Sequence, residues 1–273
     1  MRNWLICIVV GIISTGAAIA QDGKLKKLQT GVDAGPWEAV GRLDIGGAGF
    51  CTGALIDKDL VLTAAHCLFD QSSGTRLNHE SVEFLAGWRN GRASAYRSVR
   101  RAVVHPEYVY SNELSSERVR NDIALLELSQ PIRNTTIEPF ATADRPVQGD
   151  RVGVVSYARD RSEAPSLQEV CQVLGLQEGV LVTSCTVDFG SSGAPIFTFS
   201  EGAARIVSVV SAKAEVSGEH VSLGTELGAP LDFLRKQLAR GEGFFQGNAS
   251  PVSRITVGGE RNNTGAKFVR PKE

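Results

Sequence analysis

The chain has almost no net charge, with 29 Lys and Arg against 30 Asp and Glu, a formal −1. That balance lacks the basic field by which nucleic acid or an anionic membrane is bound, and neither is expected as a partner. There is no CxxC pair and no clustering of the 4 histidines, so no metal site is expected, and no cofactor is implied. Alternating strand and helix patterns, the mark of a parallel sheet, are also missing. The N-terminal apolar run, Leu5 to Ile13 with Gly11 inside it, falls short of the roughly 20 residues of a membrane span. A stable membrane anchor is therefore not expected.

That same run reads as a signal segment. Arg2 gives a positive start, and Ala18-Ile19-Ala20 puts small residues where a signal peptidase reads them, so removal near Ala20 and a secreted or periplasmic location are expected. Cys7 lies inside the run with no small-residue lipobox before it. Cleavage leaves four cysteines, Cys51, Cys67, Cys171 and Cys185. An even number in an exported chain suggests two disulfides with three possible connectivities, of which the local pairing is the simplest.

The 273 residues are 42% hydrophobic, enough for one large domain or two lobes with a substantial core. From Trp37 to about Ala229 the pattern is one of short β segments separated by turns. The first set is 40–43, 53–56, 60–63, 82–86, 98–104 and 123–128; the second is 152–157, 167–173, 180–183, 194–199, 205–210 and 224–229. Short strands at this spacing indicate an all-β sandwich or barrel. Pro131 to Asp150 has the composition of a crossover linker. Pro230 opens a short C-terminal helix, 230–240, with Leu231, Leu234 and Leu238 on one face. Residues 241–273 read as a polar tail, in which the sequons at Asn248 and Asn262 are more simply chance matches.

Three segments carry chemistry. Thr63-Ala64-Ala65-His66-Cys67 ends a strongly apolar strand, and of the histidines only His66 sits beside a cysteine that could tether it; His79 and His220 are expected at the surface, and His105 in a turn before Pro106. Asn121-Asp122 directly precedes the apolar run Ile123–Leu126, which suits either a strand cap or a buried carboxylate that orients a histidine. Gly190-Ser191-Ser192-Gly193-Ala194-Pro195 is a small-residue turn. Its glycines let two amides point at one spot, so Ser192 could attack while the N–H groups of Gly190 or Ser191 and of Ser192 hold an oxyanion. Taken singly, each segment has a structural reading as ordinary as its catalytic one.

Together these segments make the chain resemble the trypsin/chymotrypsin-like serine peptidases. CTGALIDKDLVLTAAHC (51–67), NDIALLEL (121–128), GSSGAP (190–195) and, more weakly, RIVSVVS (205–211) carry the likeness, in the order His, Asp, Ser. The resemblance covers roughly 36–240. It implies two six-stranded antiparallel β-barrels, with lobes about 36–135 and 150–229, and a triad of His66, Asp122 and Ser192 acting on a polypeptide substrate. A monomer is expected. Within the family the chain resembles the bacterial branch containing glutamyl endopeptidases, on Pro36–Gly41 and the serine turn. That branch implies a Cys51–Cys67 disulfide beside the histidine, and Cys171–Cys185 looks like a bridge of some bacterial members. Ser208 resembles the serine that bonds the triad aspartate, and Ser208, Val209 and Val210 the strand that aligns substrate.

Two departures matter. Trypsin and its animal relatives carry an aspartate before the nucleophile, which pairs with an N-terminus freed by cleavage; Ser191 stands here, and no Ile-Val-Gly-Gly start precedes Trp37. Activation through a buried ammonium is therefore not expected, while residues 21–35 are an N-terminal segment or a removable propeptide. Thr186 occupies the pocket position that is aspartate in trypsin, and Val207 the position where glutamyl endopeptidases read a carboxylate with histidine. Both basic and glutamate specificity are thereby disfavoured, leaving a small or apolar residue before the cut. The competing expectation from another class is an inactive relative that binds a partner through its loops.

Overall fold

The computed structural model describes residues 25–244 apart from 48, 201 and 217. The expected signal segment, both sequons and most of the expected tail lie outside the described residues.

The described chain opens with a two-residue strand, β1 (Lys26–Lys27), and one helical turn, α1 (Gly31–Ala34), capped by the Thr30 side chain accepting from the Asp33 N–H. Six strands follow: β2 (Val40–Ile45), β3 (Phe50–Asp57), β4 (Leu60–Thr63), β5 (Val82–Ala86), β6 (Ala95–Val104) and β7 (Ala124–Leu128). They close in the order β2-β3-β4-β7-β6-β5, every pair antiparallel. A short helix, α2 (Ser116–Arg120), precedes Asp122. The second set is β8 (Arg151–Ser156), β9 (Ser166–Gln177), β10 (Val180–Thr183), β11 (Pro195–Ser200), β12 (Ala203–Val216) and β13 (Glu219–Glu226). It runs β9-β10-β13-β12-β11-β8, with β8 returning to β9 to close a second six-stranded barrel. The last element is α3 (Gly228–Ala239), which buries Leu231, Leu234 and Leu238 as their spacing requires. The expected two-barrel fold with a C-terminal helix is what the chain forms.

The barrels exist because β-branched and aliphatic side chains alternate inward along strands whose edges are all paired. Val61, Leu62, Phe84, Leu125 and Leu126 fill the first barrel, and Val152, Val154, Ile196 and Val210 the second. The linker crosses between them as a packed layer: Phe140 N–H donates to the Leu55 carbonyl of one barrel and Ala143 N–H to Ile206 of the other. Phe140 and Trp37 close over Phe197, with ring centroids 4.7 and 5.1 Å away. Edge-on contacts of this kind add about 0.5–1.5 kcal/mol each beyond area burial.

Two differences from the sequence reading have physical causes, and a segment that reading left open takes part in the fold. Strand β12 does not stop at Val210 but continues to Val216, and β13 begins at Glu219, so the predicted strand 224–229 is displaced toward the N-terminus. The extension reads Ser-Ala-Lys-Ala-Glu-Val, half-exposed and without an apolar run, so hydropathy alone does not mark it. The segment before Trp37 is part of the fold: β1 pairs with Ser166 and Leu167, and Leu28 is only 1% exposed. His79 is buried, its Nε2 3.1 Å from the Arg100 carbonyl, because the strand that follows carries it under β6.

Candidate active site

Each barrel brings its part of the site to the interface. His66 sits in the 3-10 turn Ala65–Leu68 that ends β4, with the neighbouring Cys67 bonded to Cys51 on β3. Asp122 closes α2 and enters β7 fully buried. Its carboxylate is held from three sides. His66 N–H donates to Oδ1 at 2.8 Å, His66 Nδ1 lies 2.7 Å from Oδ2, and Ser211 Oγ donates to the same oxygen at 2.5 Å. A carboxylate can only accept, so Nδ1 carries the proton and Nε2 is left as the basic nitrogen.

Ser192 belongs to the turn between β10 and β11. His66 and Ser192 together line two adjoining clefts, of about 370 and 320 Å³. The turn is riveted to the first barrel through Thr52 of β3. Thr52 N–H donates to the Ser192 carbonyl at 2.9 Å, Thr52 Oγ1 donates to Gly190 O at 2.8 Å, and Thr63 Oγ1 donates to Thr52 O at 2.9 Å. Gly193, at φ +75°, has no room for a Cβ, which would strike Thr63 Oγ1 and the Thr52 carbonyl. Cys171–Cys185 forms the second disulfide, 14 residues apart, between β9 and the segment leading to this turn.

The amides of the turn divide cleanly. Ser191 N–H donates to Asp188 O at 2.8 Å and Gly193 N–H to Val210 O at 2.8 Å. Those of Gly190 and Ser192 have no partner among the described residues. Ser191 is thus not an available backbone donor, and its hydroxyl is buried, within 3.1 Å of Ser156 Oγ and 3.2 Å of Tyr157 O.

Several sequence-derived positions fall elsewhere. Ser208 Oγ donates to the Thr225 carbonyl at 2.8 Å, so the serine on Asp122 is Ser211, three residues on. Val209 is fully buried in register with Pro195 and Thr225, and both backbone groups of Val210 are taken, by Ala194 O and Gly193 N–H. Only Val210 among these three borders a cleft, with Ser211, Ala212 and Lys213 beside it. Val207 points into the second barrel's core. Thr186 is exposed and borders neither cleft; its N–H donates to Gln168 Oε1 at 2.8 Å.

The sequence reading missed Lys213 in the outer wall. Lys213 Nζ pairs with Asp188 Oδ1 at 2.9 Å, and the ammonium lies 4.7 Å from the Phe189 ring centroid. That contact, with the Phe189 N–H, holds the Asp188 carboxyl below its ordinary range. Ser211 had no local signal to set it apart from Ser208, the polar residue inside the run Ile206–Val210. Lys213 lies 25 residues from its partner Asp188 and had none either. As for metals, Cys51, His66 and Cys67 come together, but both sulfurs are spent in the disulfide.

Two antiparallel barrels with a histidine–aspartate pair and a glycine-rich serine turn at their junction are the architecture of the two-barrel class of serine peptidases. The chain belongs to the trypsin family, whose sequence model, described as Trypsin, matches residues 29–221. Glutamyl endopeptidase of Bacillus licheniformis is 27% identical over 169 residues, 62% of this chain and 51% of that protein. Trypsin of Phaedon cochleariae is 34% identical over 105 residues, 38% and 36% of the two chains. Human cathepsin G is 32% identical over 106 residues, again 38% and 36%. The chain thus spans about half or less of the curated relatives it matches. A solved Glu endopeptidase, in complex with MPD, superposes with a TM-score of 0.65 over 81% of this chain and 99% of that one at 16% identity, which is a likeness of fold.

Proposed function

We propose that the protein is an exported endopeptidase that cuts peptide bonds through an acyl-enzyme on Ser192. The observation that carries this is the 2.7 Å contact of His66 Nδ1 with the buried Asp122 carboxylate. It fixes the tautomer whose Nε2 is free to take a proton, in a residue that shares both clefts with Ser192. Ser192 Oγ attacks the scissile carbonyl as His66 accepts its proton, then returns it to the leaving amine; Asp122 stabilises the imidazolium between. The free amides of Gly190 and Ser192 receive the oxyanion, each worth about 3 kcal/mol of barrier.

An extended substrate has an edge to pair with. The ladder between β11 and β12 ends at Pro195 opposite Val209, while β12 runs on to Val216 with only β13 beside it. The outer edge at Ser211–Lys213 is therefore open to a peptide strand. Within the mixed wall there, Val187, Phe189, Val210 and Ala212 are apolar and the Lys213–Asp188 pair is mutually neutralised, which supports a small or apolar residue before the cut. Glutamate is the rival, favoured by the name of the Bacillus licheniformis relative, but Asp188 already neutralises Lys213, and the other cation lining that cleft, Arg118, donates to the Glu113 carbonyl. Two disulfides support export into an oxidising compartment, with removal of residues 1–20.

The test is labelling with a fluorophosphonate, followed by digestion of a diverse peptide library. Wild type should be modified at Ser192 and cleave peptides, and Ser192→Ala should do neither while remaining folded. A folded wild-type protein that takes no label would support the inactive binding relative instead.

A further inference from the structure

Ser191 leaves the nucleophile turn without the charged anchor that an aspartate gives, yet the turn is held. The segment behind it, Tyr157–Arg161, wraps the turn at three points. Arg159 N–H donates to the Phe189 carbonyl at 2.8 Å, and its guanidinium lies 5.0 Å from the centroid of the Phe189 ring. The Phe189 carbonyl and the Gly190 N–H belong to one planar trans peptide and point opposite ways. Holding the carbonyl back toward Arg159 therefore turns the Gly190 N–H away from that segment, toward the cleft.

The third point is Arg161, whose side chain is only 10% exposed. Its Nη1 meets the exposed Asp160 carboxylate at 3.1 Å. Its Nη2 lies 3.2 Å from Ser156 Oγ and, at the long end of hydrogen-bond range, 3.5 Å from Ser191 Oγ. Its Nε is buried with no partner among the described residues. A guanidinium in that position is costly to bury and would be poorly chosen for stability alone. It does settle the direction of the hydroxyl network. A serine oxygen accepts two hydrogen bonds and donates one. Arg161 and the Asp188 N–H, 3.4 Å away, fill the acceptor sites of Ser191 Oγ, which sends its proton to Tyr157 O or Ser156 Oγ on the end of β8. The oxyanion turn is thereby tied to the wall of the second barrel through a cation already in the chain.

We infer that Arg161 is a positioning residue for the oxyanion hole, fastening the Ser191 end of the turn to Ser156 at the end of β8. This rests on the proposed mechanism. The experiment compares wild type, Arg161→Ala and Arg161→Lys, measuring kcat and KM on one peptide from the library digest and the rate of Ser192 phosphonylation. Arg161→Ala should lose about tenfold or more in kcat, with KM changed less than about threefold and phosphonylation slowed in parallel. Arg161→Lys should recover part of the loss. An Arg161→Ala protein whose kcat stays within twofold of wild type overturns the inference, even if its melting temperature falls. If that variant does not fold, Ser156→Ala removes the oxygen that Nη2 holds; a severalfold kcat loss at unchanged KM supports the inference, and wild-type kcat overturns it. Failure of wild type itself to take label is a different result, and brings down the mechanism along with its anchor.

Discussion

Ser211 is the most informative single residue on the second barrel. Its hydroxyl reaches across the barrel junction to a carboxylate that has no solvent contact. A hydrogen bond to a charged group is worth about 1.5–3 kcal/mol, and part of it acts only when the imidazolium forms. Ser211→Ala should therefore lower kcat by about tenfold with KM little changed, whereas Ser208→Ala should leave kcat alone and cost only stability; steady-state kinetics of the two variants decide between them. Equal effects would contradict the assignment. Gly193→Ala should destabilise by about 3 kcal/mol or more, since φ +75° and the Thr52–Thr63 wall leave a methyl nowhere to go; urea denaturation reads this. His66, Asp122 and the GSSGAP turn could be read only together, since each segment alone has an ordinary structural reading and their order along the chain carries the resemblance. Ser211, Lys213 and Arg161 act through contacts 25 or more residues away, which no local pattern encodes.

At the scale of elements, the strands were legible wherever apolar residues alternate, and the boundaries failed where a strand leaves the core. Strand β12 illustrates the reason. Its first half is fixed by burial and its second half only by pairing with β13, so composition marks one and not the other. That half-strand holds the proposed substrate edge, and the three-residue slip from Ser208 to Ser211 follows from ending it early. The Cys51–Cys67 disulfide ties the His66 turn to β3 across a separation of 16 residues. Replacing both cysteines with alanine should cost about 3 kcal/mol, seen as a lower denaturation midpoint, and should lower activity before it unfolds the barrel. At the other end, β1 and Leu28 cover an edge of the second barrel. A chain starting at residue 36 should be less stable by about 2 kcal/mol, from the lost Leu28 burial alone. Unchanged stability would mean that residues 25–35 are dispensable, as a removable propeptide requires.

The whole molecule has a pH dependence of stability set by buried imidazoles. Burial holds His79 and His105 below the ordinary histidine range, so the unfolded chain takes up protons first as pH falls. Their contribution is complete above about pH 6.5 and is lost progressively as pH falls below that value. Carboxylates held low by partners, Asp188 and Glu127 among them, add a second loss below about pH 4.5. Thermal melts of Ser192→Ala, which cannot digest itself, should show both steps, and replacing the two histidines with glutamine should flatten the upper one.

The division of the site between two barrels also sets the order in which the parts of the proposed mechanism are made. A ribosome or an export channel delivers the chain from its N-terminus, so the imidazole and its carboxylate emerge long before the hydroxyl at 192 and the serine at 211. Until the Gly190–Ser192 turn closes onto Thr52, the half-made chain is a base with nothing to deprotonate. On the proposed mechanism, the growing chain stays inert up to the last third of its length.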